Sequence, residues 1–137
     1  MEVVVAPLNL YALAAGLRDG TVEGQTVVVG EQSVRIHEVF TTEFTQAVLY
    51  VLRSGQTIPR HRHTGIDDVF LGILGEGRIR VWSAGGDVVD LELKPGSMKV
   101  ITPGTVHEVV SDSDGFAYLL LQAPKEGYDL IPVESSA

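Results

Sequence analysis

The chain has 137 residues, with ten Lys and Arg against eighteen Asp and Glu, a formal net charge of −8 and no cysteine. That length holds one domain with a real core, and an apolar share of 45% with a charged share of 20% excludes a disordered or fibrous chain. The negative balance disfavours nucleic acid or an anionic membrane as partner, and without cysteine there is no disulfide, thiolate metal site or cysteine nucleophile.

At the start, Glu2 stands where a secretory leader needs Lys or Arg, and no run approaches the ~20 apolar residues of a membrane-spanning helix. The expectation is a soluble, cytoplasmic protein. Asn9 then caps a short helix in which Leu10, Leu13, Ala14 and Leu17 recur at helical spacing before Gly20. From there on the chain reads as strands. Fifteen glycines and six prolines punctuate short Val-, Ile- and Leu-rich segments at 26–29, 34–40, 46–53, 69–74, 78–82, 88–93, 98–101, 106–110 and 116–122. The alternation is cleanest in Val89-Asp90-Leu91-Glu92-Leu93, and Ser83-Ala84-Gly85-Gly86-Asp87 reads as a hairpin connection. Residues 124–137 read as a partly ordered tail. The pattern is that of one all-β domain, a sandwich or a jelly-roll barrel, over residues 1–137, with the barrel core at 26–123.

Four histidines are present: His37, His61, His63 and His107. In an extended segment His61 and His63 point to one side, and Arg60 and Arg62 to the other. Two imidazoles on one face are what two ligands of one ion require. Asp67 and Asp68 follow, and strand alternation allows at most one of them to join the same site. Pro103-Gly104 forms a tight turn that delivers His107 to the start of a strand.

These residues resemble the cupin superfamily, in its small single-domain form. The first signature is matched by Gly55, five residues, His61-Arg62-His63, four residues, Asp68, six residues and Gly75. The second is matched by Gly96, five residues, Thr102-Pro103-Gly104, two residues, His107, three residues and Ser111. The chain departs from the pattern at Thr102, where proline is usual, at Ser111, where asparagine is usual, and at Asp68, where the family has glutamate. The resemblance implies a double-stranded β-helix barrel holding one divalent transition ion (Fe, Mn, Zn, Ni or Cu) on His61, His63, Asp68 and His107. Aspartate is one methylene shorter than glutamate, so three alternatives stay open: a closer backbone, a water-mediated Asp68, or a three-histidine site.

The chemistry implied is that of a metal-dependent dioxygenase, isomerase, lyase or cyclase acting on a small oxygen-rich molecule. The alternative is a non-catalytic module that binds or senses a sugar or small acid. Tyr50 and Tyr118 are candidates for proton transfer. Gly72, on the face of Asp68, either leaves room for substrate or marks a strand irregularity. Arg78 and Arg80 alternate as outward residues, and His37 falls outside both signatures. Small cupins are commonly homodimers, and the 27–29 and 34–40 segments are the edge expected to serve.

Overall fold

A computed structural model describes residues 7–134 of the chain; the reading of the extreme N-terminus and the last three residues of the expected tail lie outside them. One helix, α1 (Leu10–Asp19), precedes eleven strands among the described residues. They are β1 (Gln25–Val29), β2 (Gln32–Thr41), β3 (Gln46–Leu52), β4 (Thr57–Arg62), β5 (Asp67–Leu74), β6 (Gly77–Trp82), β7 (Val88–Leu93), β8 (Met98–Ile101), β9 (Val106–Ser111), β10 (Phe116–Ala123) and β11 (Ile131–Pro132). They form two antiparallel sheets, ordered β1-β2-β3-β10-β5-β8 and β11-β4-β9-β6-β7. Of the two architectures the strand pattern left open this is the jelly roll, the double-stranded β-helix that the family resemblance implies.

The nine segments read from sequence all form strands, and two further strands were not anticipated. β4 carries Pro59 and three basic or histidine residues in six, so it lacks an apolar alternation. Its pairing with β9 slips between Ile58 and His61, around Pro59, which has no N–H to give a ladder. β11 lies in the segment read as a partly ordered tail, where it follows a single 3-10 turn at Lys125–Gly127 and pairs with β4.

Two apolar clusters hold the sheets. Between them lie Val34, Leu52, Ile58, Phe70, Ile79, Leu93, Ile101, Val109, Phe116, Tyr118 and Leu120. On the outer face of the larger sheet, Ala14 and Leu17 of α1 meet Ala47, Leu49, Val51, Ile73, Ala117 and Leu119. The helix therefore packs outside the barrel, over β3, β5 and β10. Asn9 caps it by accepting from the Ala12 N–H at 3.0 Å, and Gly20 ends it at φ 86°. Burying one such leucine is worth about 1.5–3 kcal/mol, so this single amphipathic face is enough to fix a ten-residue helix.

Gly72 does not open space beside the site. A Cβ there would stand 2.2 Å from the Lys94 carbonyl oxygen, because β5 exchanges backbone hydrogen bonds with the turn before β8: Gly72 N–H to Ser97 O, and Gly96 N–H to Gly72 O. The β10–β5 register shifts beside it, between Ala117 and Tyr118. Close backbone approach explains this glycine; of the two readings from sequence, the strand irregularity holds and the substrate space does not.

Candidate metal centre

Strand pairing brings the four residues together from both sheets. His61 at the end of β4 is the register partner of His107 on β9, and His63 follows β4 by one residue. Asp68 at the start of β5 faces them from the larger sheet. The turn at Pro103-Gly104 is fastened to this corner, since the Gly104 N–H donates to the His63 carbonyl at 2.6 Å; Gly104 has φ 82°, a conformation glycine takes without cost. One candidate ligand atom from each of the four residues lies within 4.8 Å of the other three. All four side chains are buried, Asp68 at 1% exposure and His107 at 0%, whereas Asp67 is exposed. Alternation had left room for one of the two aspartates, and it is Asp68.

Each ring is oriented by a main-chain carbonyl. His61 Nδ1 donates to Pro59 O at 2.7 Å and His107 Nδ1 to Thr105 O at 2.9 Å, while His63 Nδ1 donates to Asp129 O. A carbonyl can only accept, so all three Nδ1 atoms carry the proton and all three Nε2 atoms present a lone pair in the neutral ring. Asp68 Oδ2 stands 3.0 Å from His63 Nε2 and 3.2 Å from His107 Nε2. Groups that close share a cation, either a metal ion or a second proton on a ring, and His107 Nε2 lies within hydrogen-bond distance of the carboxylate. His63 Nε2 is moreover a buried nitrogen with no hydrogen-bond partner, its approach to Asp68 being off line. Donors at about 2.1 Å from a common centre lie roughly 3.0–3.4 Å apart along a coordination edge, so the spacing suits one ion. Despite its shorter side chain, the Asp68 carboxylate reaches the rings.

The second carboxylate oxygen is held by a residue that sequence reading missed. Gln122, the register partner of Asp68 on β10, donates through Nε2 to Asp68 Oδ1 at 2.9 Å. Burial works against charge on Asp68, but the His107 and His63 rings outweigh it and hold the carboxyl well below its usual range. His61 is lowered to about 4 by burial, with His107 beside it. Burial also opposes charge on His63, yet the Asp68 carboxylate and the Asp129 carbonyl raise it overall.

The folded C-terminal segment completes the corner. The Asp129 carboxylate accepts from the Thr64 N–H at 2.8 Å and from its hydroxyl. The ring of Tyr128 lies 5.5 Å from that of His63. Beside the four residues opens a cavity of about 360 Å³. Tyr50 and Tyr118 both line it, stacked across β3 and β10 with centroids 5.1 Å apart. Burial pushes Tyr50 up to about 12 and Tyr118 well above its ordinary value, so they can donate a hydrogen bond at neutral pH but cannot take up a proton.

The remaining polar candidates lie elsewhere. Arg78 and Arg80 form an outer ladder with Asp90, Glu108 and Asp112, and the Arg60 guanidinium lies 3.8 Å over the Trp82 ring. His37 bonds through Nδ1 to Glu23 O at 2.9 Å, away from the cluster. Ser111 is buried and donates to Ser113 O at 2.6 Å, a loop contact apart from the four-residue group.

Comparison with known proteins agrees with the fold. No curated protein matches the chain. Among solved structures, KdgF from a Halomonas species superposes with a TM-score of 0.66 at 20% identity, over 77% of this chain and 89% of that one. An uncharacterised conserved protein with a double-stranded β-helix domain from Klebsiella pneumoniae gives 0.66 at 23%, over 86% and 89%. A deletion mutant of Bacillus subtilis oxalate decarboxylase OxdC gives 0.66 at 16%, over 81% of this chain but 30% of that one. These likenesses are likenesses of fold. The cupin domain family model matches residues 48–121, more than half of the chain and all four residues of the buried cluster, and the chain belongs to the cupin family.

Proposed function

We propose that the chain is a metal-dependent enzyme holding one divalent transition ion on His61, His63, Asp68 and His107. The observation that carries this is a buried group in which His61, His63, Asp68 and His107 each bring one ligand atom within 4.8 Å of the others, each ring held from behind by a carbonyl. Such outer contacts set the tautomer and orientation that metal-ligating histidines need. Three imidazoles and a carboxylate suit Fe, Mn, Zn, Ni or Cu. An ion held there would act as a Lewis acid toward an oxygen of a small substrate entering from the cavity. The reaction classes that fit are dioxygenase, isomerase, lyase and cyclase. The chain's own part is to hold the four donors, to exclude bulk water from them, and to offer the Tyr50 and Tyr118 hydroxyls as hydrogen-bond donors.

A second reading, a module that binds a small ligand without turnover, has one observation in its favour. Apart from His61, His63 and Asp68, the cavity lining contains among the described residues no carboxylate, histidine or lysine able to exchange a proton near neutral pH. The homodimer belongs to the same proposal, supported by β1 standing at the edge of the larger sheet.

Elemental analysis of protein purified without a metal-affinity step tests the proposal. One divalent ion per chain in the native protein, lost in His107→Ala, is the expected result; ion-free native protein that still binds small ligands would favour the module. Oxygen uptake by an iron-loaded sample would assign the reaction to the dioxygenases.

A further inference from the structure

Cavities that take sugars or dicarboxylates offer several polar or cationic partners, because every buried hydroxyl or carboxylate left without one is costly. This cavity does not. Away from His61, His63 and Asp68 its inner wall includes Val27, Val29, Ile36, Ile58, Phe70 and Leu120, and among the described residues neither Lys nor Arg lines it. The polar exceptions gather near the cluster: Gln122, already bonded to Asp68, and the hydroxyls of the stacked tyrosines. The arginines that could have held a second carboxylate are committed to the outer ladder or to Trp82.

The rim is apolar too. Val28, Tyr128 and Leu130 line the cavity while being 72%, 51% and 40% exposed. They come from two segments far apart in the chain, β1 and the C-terminal segment. Large apolar side chains left in water around the mouth of an apolar cavity mark a place where an apolar ligand is desolvated on entry.

We infer that the ligand of this cavity is a small molecule with one oxygen-bearing head, which meets the His61/His63/Asp68/His107 cluster, and an aromatic or aliphatic body that fills the wall between β1, β2 and β10; a polyhydroxylated sugar or a dicarboxylate is disfavoured. The inference rests on the metal-centre reading for the head and on the lining alone for the body. It narrows the oxygen-rich substrate expected from the resemblance to oxygen at one end only.

The test uses the full chain loaded with Zn²⁺ and three chelators: benzohydroxamate, acetohydroxamate and oxalate. The two hydroxamates share one head, so their ratio reads the body alone. Calorimetric titration is expected to give benzohydroxamate at least a tenfold advantage over acetohydroxamate, with oxalate weakest. Val29→Lys, which puts a cation in the wall near the rim, is expected to shrink the hydroxamate ratio and strengthen oxalate. Equal hydroxamate affinities, or oxalate binding best to the native protein, would overturn the inference while leaving the metal centre standing, since each probe would still bind through the ion. Failure of Zn²⁺ to bind would remove the metal centre itself, and the inference with it.

Discussion

The imidazole of His63 is held from behind by the main-chain carbonyl of Asp129, sixty-six residues further along the chain. The carboxylate of the same aspartate grips Thr64, the next residue after His63. One residue thus orients a ring and pins the backbone that carries it. Asp129→Ala keeps the carbonyl but releases the grip on Thr64. Outer contacts of this kind are worth roughly 10–100-fold in metal affinity, and a loss in that range is expected, measured by competition with a chromophoric chelator. An unchanged affinity would mean that the C-terminal segment only covers the corner.

Gln122 does for Asp68 what the carbonyls do for the rings. Gln122→Leu removes the donor to Oδ1 and frees the carboxylate to turn about its bond. A metal affinity lower by about 10–100-fold is expected here too. The far-ultraviolet circular dichroism of the variant should match that of the native protein, because the leucine keeps most of the volume against β5.

Ion binding should raise the melting temperature through linkage. With free ion at a thousand times its dissociation constant, the folded state gains about 4 kcal/mol, a shift on the order of 10 °C for a chain of this size. His107→Ala should melt at one temperature with and without added Mn²⁺ or Zn²⁺. A variant that still responded as the native protein does would place the ion elsewhere.

Stability of the ion-free protein should depend on pH through His61. Its folded value is lowered to about 4, from an ordinary 6.5, so between those limits the unfolded chain binds a proton that the folded chain refuses. Stability from this group is therefore full above pH ~6.5 and is lost as pH falls toward 4, by on the order of 3 kcal/mol. Asp68, whose folded value is depressed, contributes stability that is lost only at lower pH. His63, whose folded value is raised, contributes in the opposite sense: its share is present below pH ~6.5 and lost as pH rises through the folded value. Comparing native protein with His61→Gln by urea unfolding from pH 4.5 to 7.5, in the presence of a chelator, isolates the first effect. The variant should lose less stability across that interval; equal losses would show that His61 does not carry it.

Leu17 tests the separation of the two apolar clusters. It is fully buried between α1 and the outer face of the larger sheet, remote from the four-residue cluster. Leu17→Ala should cost about 2–5 kcal/mol, read from denaturant unfolding, with the ion content per folded chain unchanged.

Much of the site could be read from local spacing. His61 and His63 share a face because strand periodicity is two, and the same periodicity separates Asp68 from Asp67. The turn at Pro103-Gly104 announces His107. Nine strands were legible because Val, Ile and Leu alternate between glycine and proline stops. β4 was not, since its residues are chosen for the site and not for a buried face. Gln122 and Asp129 were beyond reach for another reason: each acts through a partner 54 or 65 to 66 residues away, Gln122 by register between β10 and β5 and Asp129 from the segment leading into β11. A glutamine in an apolar run and an aspartate in an apparent tail carry no local mark of such a role. Gly72 left two readings open because an absent side chain can serve a cavity or a backbone contact, and only the position of Lys94 decides.

The dependence of His63 on Asp129 has a consequence for the order in which the protein matures. A nascent chain emerging from the ribosome can lay down β1 through β10 and still lack the carbonyl that aims one of its rings. Any grip of the cluster on an ion would therefore be completed only after the segment beyond β10 has joined β4, because until then one of its three rings stays unaimed.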